Sequence, residues 1–178
     1  MPAGRKKKPI ALDKALVDAF AVNERMNQFL LENLDEEAWR AGPPGGKGRT
    51  IAAIVAHVHN VRLMWLTVSA KGSEIPEKLD RSTASPAQAR RALARSGKAM
   101  RRLFEASLSG GGRVKDFPPG VVAFFAYAIS HDAHHRGQIC QLARQAGYPL
   151  PNEATYGLWD WSKRQKEIAP SPPGRGKG

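Results

Sequence analysis

The chain has 178 residues, 42% of them hydrophobic, a single cysteine and a formal net charge of +12. That length suffices for one domain with a proper core, and the lone cysteine excludes an internal disulfide framework and fits a reducing cytoplasm. No uninterrupted apolar run reaches the ~18 residues of a membrane span, and the basic N-terminus is followed by acids rather than by the apolar core of a secretory signal. Arg5, Lys6, Lys7 and Lys8 at one end and Arg175 and Lys177 at the other carry six of the charges, leaving +6 for the body. Residues 1–10 read as a disordered basic tail. Residues 167–178 read as a second one, because Pro170 to Gly178 contains three prolines and three glycines. The domain is expected over 11–166.

Helical periodicity runs through that domain, with no alternating strand. From about Ala11 to Leu34, Leu12, Leu16, Ala19, Phe20, Met26, Leu30 and Leu34 form a first apolar stripe. Gly42-Pro43-Pro44-Gly45-Gly46-Lys47-Gly48 is a loop. Thr50 can cap a second helix ending near Ser69. A long connection from Lys71 to Thr83 follows. Ser85, Pro86 and Gln88 spell a capping box for a third helix, which stops before Gly110-Gly111-Gly112 near Leu108. A fourth helix is expected from Pro119 to Ala146, closed by Gly147 and Pro149. Asn152 to Lys166 reads as one short terminal helix. Four long helices and no strands predict an all-α four-helix bundle.

All five histidines lie in two helical clusters, His57 and His59 on the second helix and His131, His134 and His135 on the fourth. Setting His131 at zero, Phe124, His135 and Leu142 fall within about 40° of it, His134 at about −60° beside Tyr127 and Gln138, and Asp132 at about 100°. Cys140 is about 180° away and is not expected to be a ligand. On the second helix, His57 shares a face with Ile54, Val61, Met64, Trp65 and Val68, while His59 lies about 200° round, beside Val55, Leu63 and Leu66. The His57 face is read as the main apolar face and His59 as surface or peripheral. His57, His131 and His135 then point into the interior, and three neutral imidazoles plus a solvent molecule make an open divalent-metal site. His131-Asp132-x-x-His135 also approaches the His-Glu-x-x-His pattern in which the acid is a general base, but Asp132 is shorter and lies off the inward face.

These residues resemble the DinB/YfiT family of four-helix-bundle metalloproteins. The similarity is carried by His57 with Trp65 eight positions on, by His131-Asp-Ala-His-His-Arg-Gly-Gln-Ile139, and by Leu142-Ala-Arg-Gln-Ala-Gly-Tyr-Pro-Leu-Pro151. The resemblance implies an up-down-down-up bundle, with the 71–83 connection as its crossover, and one divalent ion, zinc or nickel, held by His57, His131 and His135. The family name derives from DNA-damage-inducible expression, a stress response, and implies no polymerase. Characterised relatives include metal-dependent thiol transferases and a mycothiol-dependent isomerase. A homodimer acting on a small molecule, with a low-molecular-weight thiol as cosubstrate, is the expectation that follows.

His134, Gln138 and Tyr127 are candidates to support the ligands. Gln138 would orient a ligand or tie helix ends together, Gly137 would permit close helix approach beside the metal, and Arg136 would pair with an acid on a neighbouring helix. Three functional classes stay open: a metal-dependent thiol transferase or hydrolase, a polyanion or nucleic-acid binder using the third-helix stripe Arg91, Arg95, Lys98 and Arg102, and a metal-stabilised interaction module without chemistry.

Overall fold

A computed structural model describes residues 10–70 and 72–169. The expected N-terminal tail lies outside them except for Ile10; of the expected C-terminal tail, Glu167 and Ile168 are instead helical and 170–178 lie outside the described residues. The described chain is all-helical: α1 (Leu12–Glu32), a 3-10 turn (Glu36–Arg40), α2 (Ile51–Ser69), α3 (Pro86–Ser109), α4 (Val121–Gln145), α5 (Asn152–Gly157) and α6 (Trp161–Ile168).

The helix ends follow local chemistry. Thr50 Oγ1 accepts the Ala53 N–H at 3.2 Å, and the capping box closes with Ser85 Oγ accepting from Gln88 N and Gln88 Oε1 from Ser85 N. Gly147, at φ +88°, ends α4 in a Schellman arrangement, with the Tyr148 N–H donating to the Ala143 carbonyl at 2.9 Å. Two boundaries differ from expectation. α4 begins at Val121, because Gly120 at φ +86° leaves the helical region. The terminal segment is two helices, since Asp160 accepts the Lys163 N–H and caps α6 afresh. α6 lies against α1, where Arg164 stacks 3.9 Å above the Phe29 ring and Glu167 accepts from Arg25 at 2.7 Å.

α1 packs on α3 and α4, and α2 also packs on α3 and α4. The contacts fix direction. Phe20 meets Phe104 while Glu32 meets Arg90, so α1 and α3 are antiparallel. Ile51 and Val55 share a cluster with Ala89 and Leu93 while Leu63 and Leu66 share one with Met100 and Phe104, so α2 and α3 are parallel. His57 meets His135 while Trp65 meets Phe124, so α2 and α4 are antiparallel. The topology is therefore up-down-down-up, and α2 and α3 run the same way across the long crossover. Two apolar clusters fill the interior, one around Leu30, Ile51, Leu93 and Leu142 and one around Phe20, Leu66, Phe104 and Phe124. Among the described residues α2 alone is long and apolar enough to cross a membrane by length and composition; in the bundle most of it is buried.

Candidate metal centre

α2 has two working faces. The fully buried one carries Val55, His59, Leu63 and Leu66 toward α3, whereas the His57 face is half open, with Met64 50% exposed. The expected ranking of the two faces is thus reversed. His59 is fully buried rather than peripheral, with Nδ1 3.0 Å from Ser96 Oγ and Nε2 2.9 Å from the Glu77 carbonyl. Both ring nitrogens are occupied by these partners, which leaves His59 no free lone pair for an ion.

His57 instead faces α4. Its ring centroid lies 5.3 Å from that of His131 and 4.8 Å from that of His135, and the latter two are 4.5 Å apart. One ring nitrogen from each lies within 4.8 Å of the others. His135 Nδ1 is 2.8 Å from Gln138 Oε1. An amide oxygen only accepts, so Nδ1 carries the proton and Nε2 keeps its lone pair. Burial, followed by the positive field of Arg49 and the neighbouring imidazoles, lowers the His57 pKa to about 4. Burial also lowers that of His135. These two rings are neutral at pH 7, the form that binds a divalent cation.

The other proposed supports fall at different distances. The Tyr127 ring is 6.0 Å from His131, and its hydroxyl accepts from Trp65 Nε1 at 3.3 Å. Trp65, Phe117 and Phe124 complete an aromatic wall on that side. His134 is exposed, 5.0 Å from the His135 ring. Cys140 is half-buried against the core, and burial raises its thiol pKa.

Behind the histidines lies a feature that the single-stripe reading missed. Asp132 is 2% exposed, and its Oδ2 accepts from Asn23 at 2.6 Å and Asn27 at 3.0 Å on α1 and from Arg62 at 2.6 Å on α2. Arg62, itself 4% exposed, also donates to Glu24. Arg136 donates to the side-chain oxygens of Asn23 and Asn27 at 2.7 Å each, so its direct partners are amides rather than the expected acid. Two carboxylates and two guanidinium groups are thus balanced inside the bundle. Although burial opposes ionisation, the Arg62 guanidinium holds the Asp132 carboxyl well below the usual range, while burial pushes Glu24 up. Asp132 is therefore committed to ion pairing, and its second oxygen sits 3.8 Å from His131 Nδ1. At that distance the carboxylate acts on His131 through its field and not through a hydrogen bond.

The sequence held two signals for this network. Arg62 is the one formal charge in α2, and Asn23, Glu24 and Asn27 recur at helical spacing on α1. Gly137 has open space where a Cβ would stand, so it permits no close approach. Gly97 does: a Cβ there would lie 1.9 Å from Glu24 Oε2.

The sequence profile of the DinB family matches residues 11–167. No curated protein and no solved structure matches the chain. With the profile spanning the whole bundle and both histidine clusters, the chain belongs to the DinB family.

Proposed function

We propose that this protein binds one divalent ion, zinc or nickel, through His57, His131 and His135, and works as a metal-dependent enzyme on a small molecule, of thiol-transferase or hydrolase type. The observation that carries this reading is the convergence of three imidazoles between α2 and α4, one of them with its tautomer set by Gln138. The donor set suits the ion: nitrogen ligands, two of them held neutral by burial, and fewer protein ligands than a closed structural site takes. A bound divalent ion supplies Lewis acidity, making a thiol or water that reaches it acidic enough to serve as a nucleophile near neutral pH.

The chain's own residues do the positioning. Gln138 fixes His135, Asp132 biases the His131 proton toward Nδ1, and Trp65 with Tyr127 walls one side against water. With Cys140 packed against the core, the thiol comes from a cosubstrate. Elemental analysis of purified protein, followed by a screen of low-molecular-weight thiols against electrophiles, tests the proposal. Substoichiometric metal after loading, or binding indifferent to loss of His57, would overturn it.

A second reading rests on α3. Arg91, Arg95, Lys98 and Arg102 are all exposed, and none forms an ion pair among the described residues, whereas Arg90 pairs with Glu32. Such a stripe can contact phosphates, with affinity falling steeply in salt. DNA binding unchanged after all four become serine removes this reading.

A further inference from the structure

The loop between the 3-10 turn and α2 folds back beside the histidines. Its ends are tied by the Ile51 N–H donating to the Ala41 carbonyl at 2.9 Å. Gly48, at φ +129°, lets the chain close over Pro43; a Cβ there would come within 2.8 Å of the proline ring. This sets Arg49 immediately ahead of the Thr50 cap, in the wall of an open groove of about 690 Å3 between the loop and α4. That volume lies in the ~300–1,000 Å3 range of small-molecule pockets.

The groove is lined by Pro43, Arg49, Ile54, Gln138, Gln141 and Gln145 among others, and by no acid. The three histidines do not line it, and it adjoins the metal centre through two residues of its wall. Ile54 is one helical turn before His57, and Gln138 is the residue that holds His135. Arg49 forms no hydrogen bond or ion pair among the described residues, so its guanidinium has all its donors free for a ligand. The two grooves along α3 differ in this respect, because there Glu77 and Asp80 or Glu74 line the same surface as the arginines.

From these features we propose that the groove is the substrate-recognition end of the site. Arg49 grips the carboxylate of a small molecule whose other end reaches His57, His131 and His135, with Gln141 and Gln145 as flanking amide donors. The inference rests on the metal-centre reading above and adds the ligand's chemistry: one reactive donor and one carboxylate. A single guanidinium presents a planar fork that matches one carboxylate in bidentate fashion, and two neutral amides add donors without adding charge. Helix α2 begins at Ile51, six residues or roughly 9 Å of rise before His57, and Arg49 stands two residues ahead of it. An arginine side chain spans part of that interval, so a short linker between the two ligand ends covers the rest.

The test uses Co(II)-loaded full-length protein and four thiols: mercaptoacetate, 3-mercaptopropionate, 4-mercaptobutyrate and neutral 2-mercaptoethanol. Binding is read from the near-ultraviolet thiolate-to-cobalt band. At least one acid thiol should bind about tenfold more tightly than 2-mercaptoethanol. R49Q should erase that preference while leaving the mercaptoethanol affinity and the cobalt stoichiometry unchanged; R49K should keep part of it. Equal affinities for acid and neutral thiols, or a preference that survives R49Q, overturn the inference while leaving the metal centre intact. In parallel, metal-free protein is titrated with glutarate while the Arg49 Nε–H resonance is followed by NMR. A saturable shift supports the carboxylate site even where cobalt fails to bind, an outcome that would sink only the metal reading. No shift with glutarate counts against Arg49 in either case.

Discussion

Replacing Asp132 by asparagine keeps the side chain's shape and removes one charge from a group that is 2% exposed. In the native bundle Asp132 and Glu24 together balance Arg62 and Arg136. The variant leaves one positive charge in excess among buried groups. Removing one partner of a buried ion pair costs about 3–5 kcal/mol. The low end applies here, because Glu24 remains on the same Arg62 nitrogen and, freed of a like charge, ionises more readily. About 3 kcal/mol corresponds to a melting temperature lower by roughly 6–12 °C for a chain of this size. The asparagine also weakens the field acting on His131 Nδ1, 3.8 Å away, so metal affinity should fall by about tenfold or more. Urea unfolding of metal-free protein at pH 7 measures the first effect, and a competitive chelator titration the second. The pH dependence follows from the depressed Asp132 pKa. Its stabilisation is fully present above the unfolded value near ~3.9 and drains away as pH falls toward the lower folded value, so the difference between wild type and variant should narrow below about pH 4. A loss under about 1 kcal/mol at pH 7 would refute an energetically coupled ion-pair network, whatever its geometry.

His57→Ala should abolish stoichiometric metal. His59→Ala should retain it while costing about 2–4 kcal/mol, because it strips a buried ring bonded to Ser96 and Glu77; metal content and chemical denaturation separate the two. Neutral imidazole is the ligand form, and a lowered pKa keeps a ring neutral to more acidic pH, so metal release should occur below the ~6.5 of an ordinary histidine, with His57 contributing only near pH 4. Metal retained against a fixed chelator from pH 7.5 to 4 reads this directly, and a midpoint at 6.5 or above contradicts it. Gly97→Ala should destabilise by about 1–3 kcal/mol through its clash with Glu24, whereas Gly137→Ala, in open space, should stabilise by about 0.5–1 kcal/mol; thermal melts give both signs.

Helix ends and loops were legible in the chain because they depend on contacts within a few residues. Thr50, the Ser85–Gln88 box and Gly147 act where they were expected, and the terminal segment was misread only because Asp160 restarts a helix that periodicity alone runs together. The histidine pair on α4 and the phase of His57 were equally legible, since 100° per residue fixes which side chains share a face. What the sequence could not assign was the neighbour that each face meets. A helix in a four-helix bundle touches two others, so it has two buried faces, and a single apolar stripe cannot rank them. Tertiary packing decided that His59 faces α3 and His57 faces α4, that His131 and His135 look toward α2, and that Asp132, about 100° round from His131, meets α1 and α2 rather than solvent. It also gathered Glu24, Arg62, Asp132 and Arg136 from three helices into one charge-balanced interior. No window of sequence contains that sum, because a buried charge is tolerable only through partners that folding alone brings within reach.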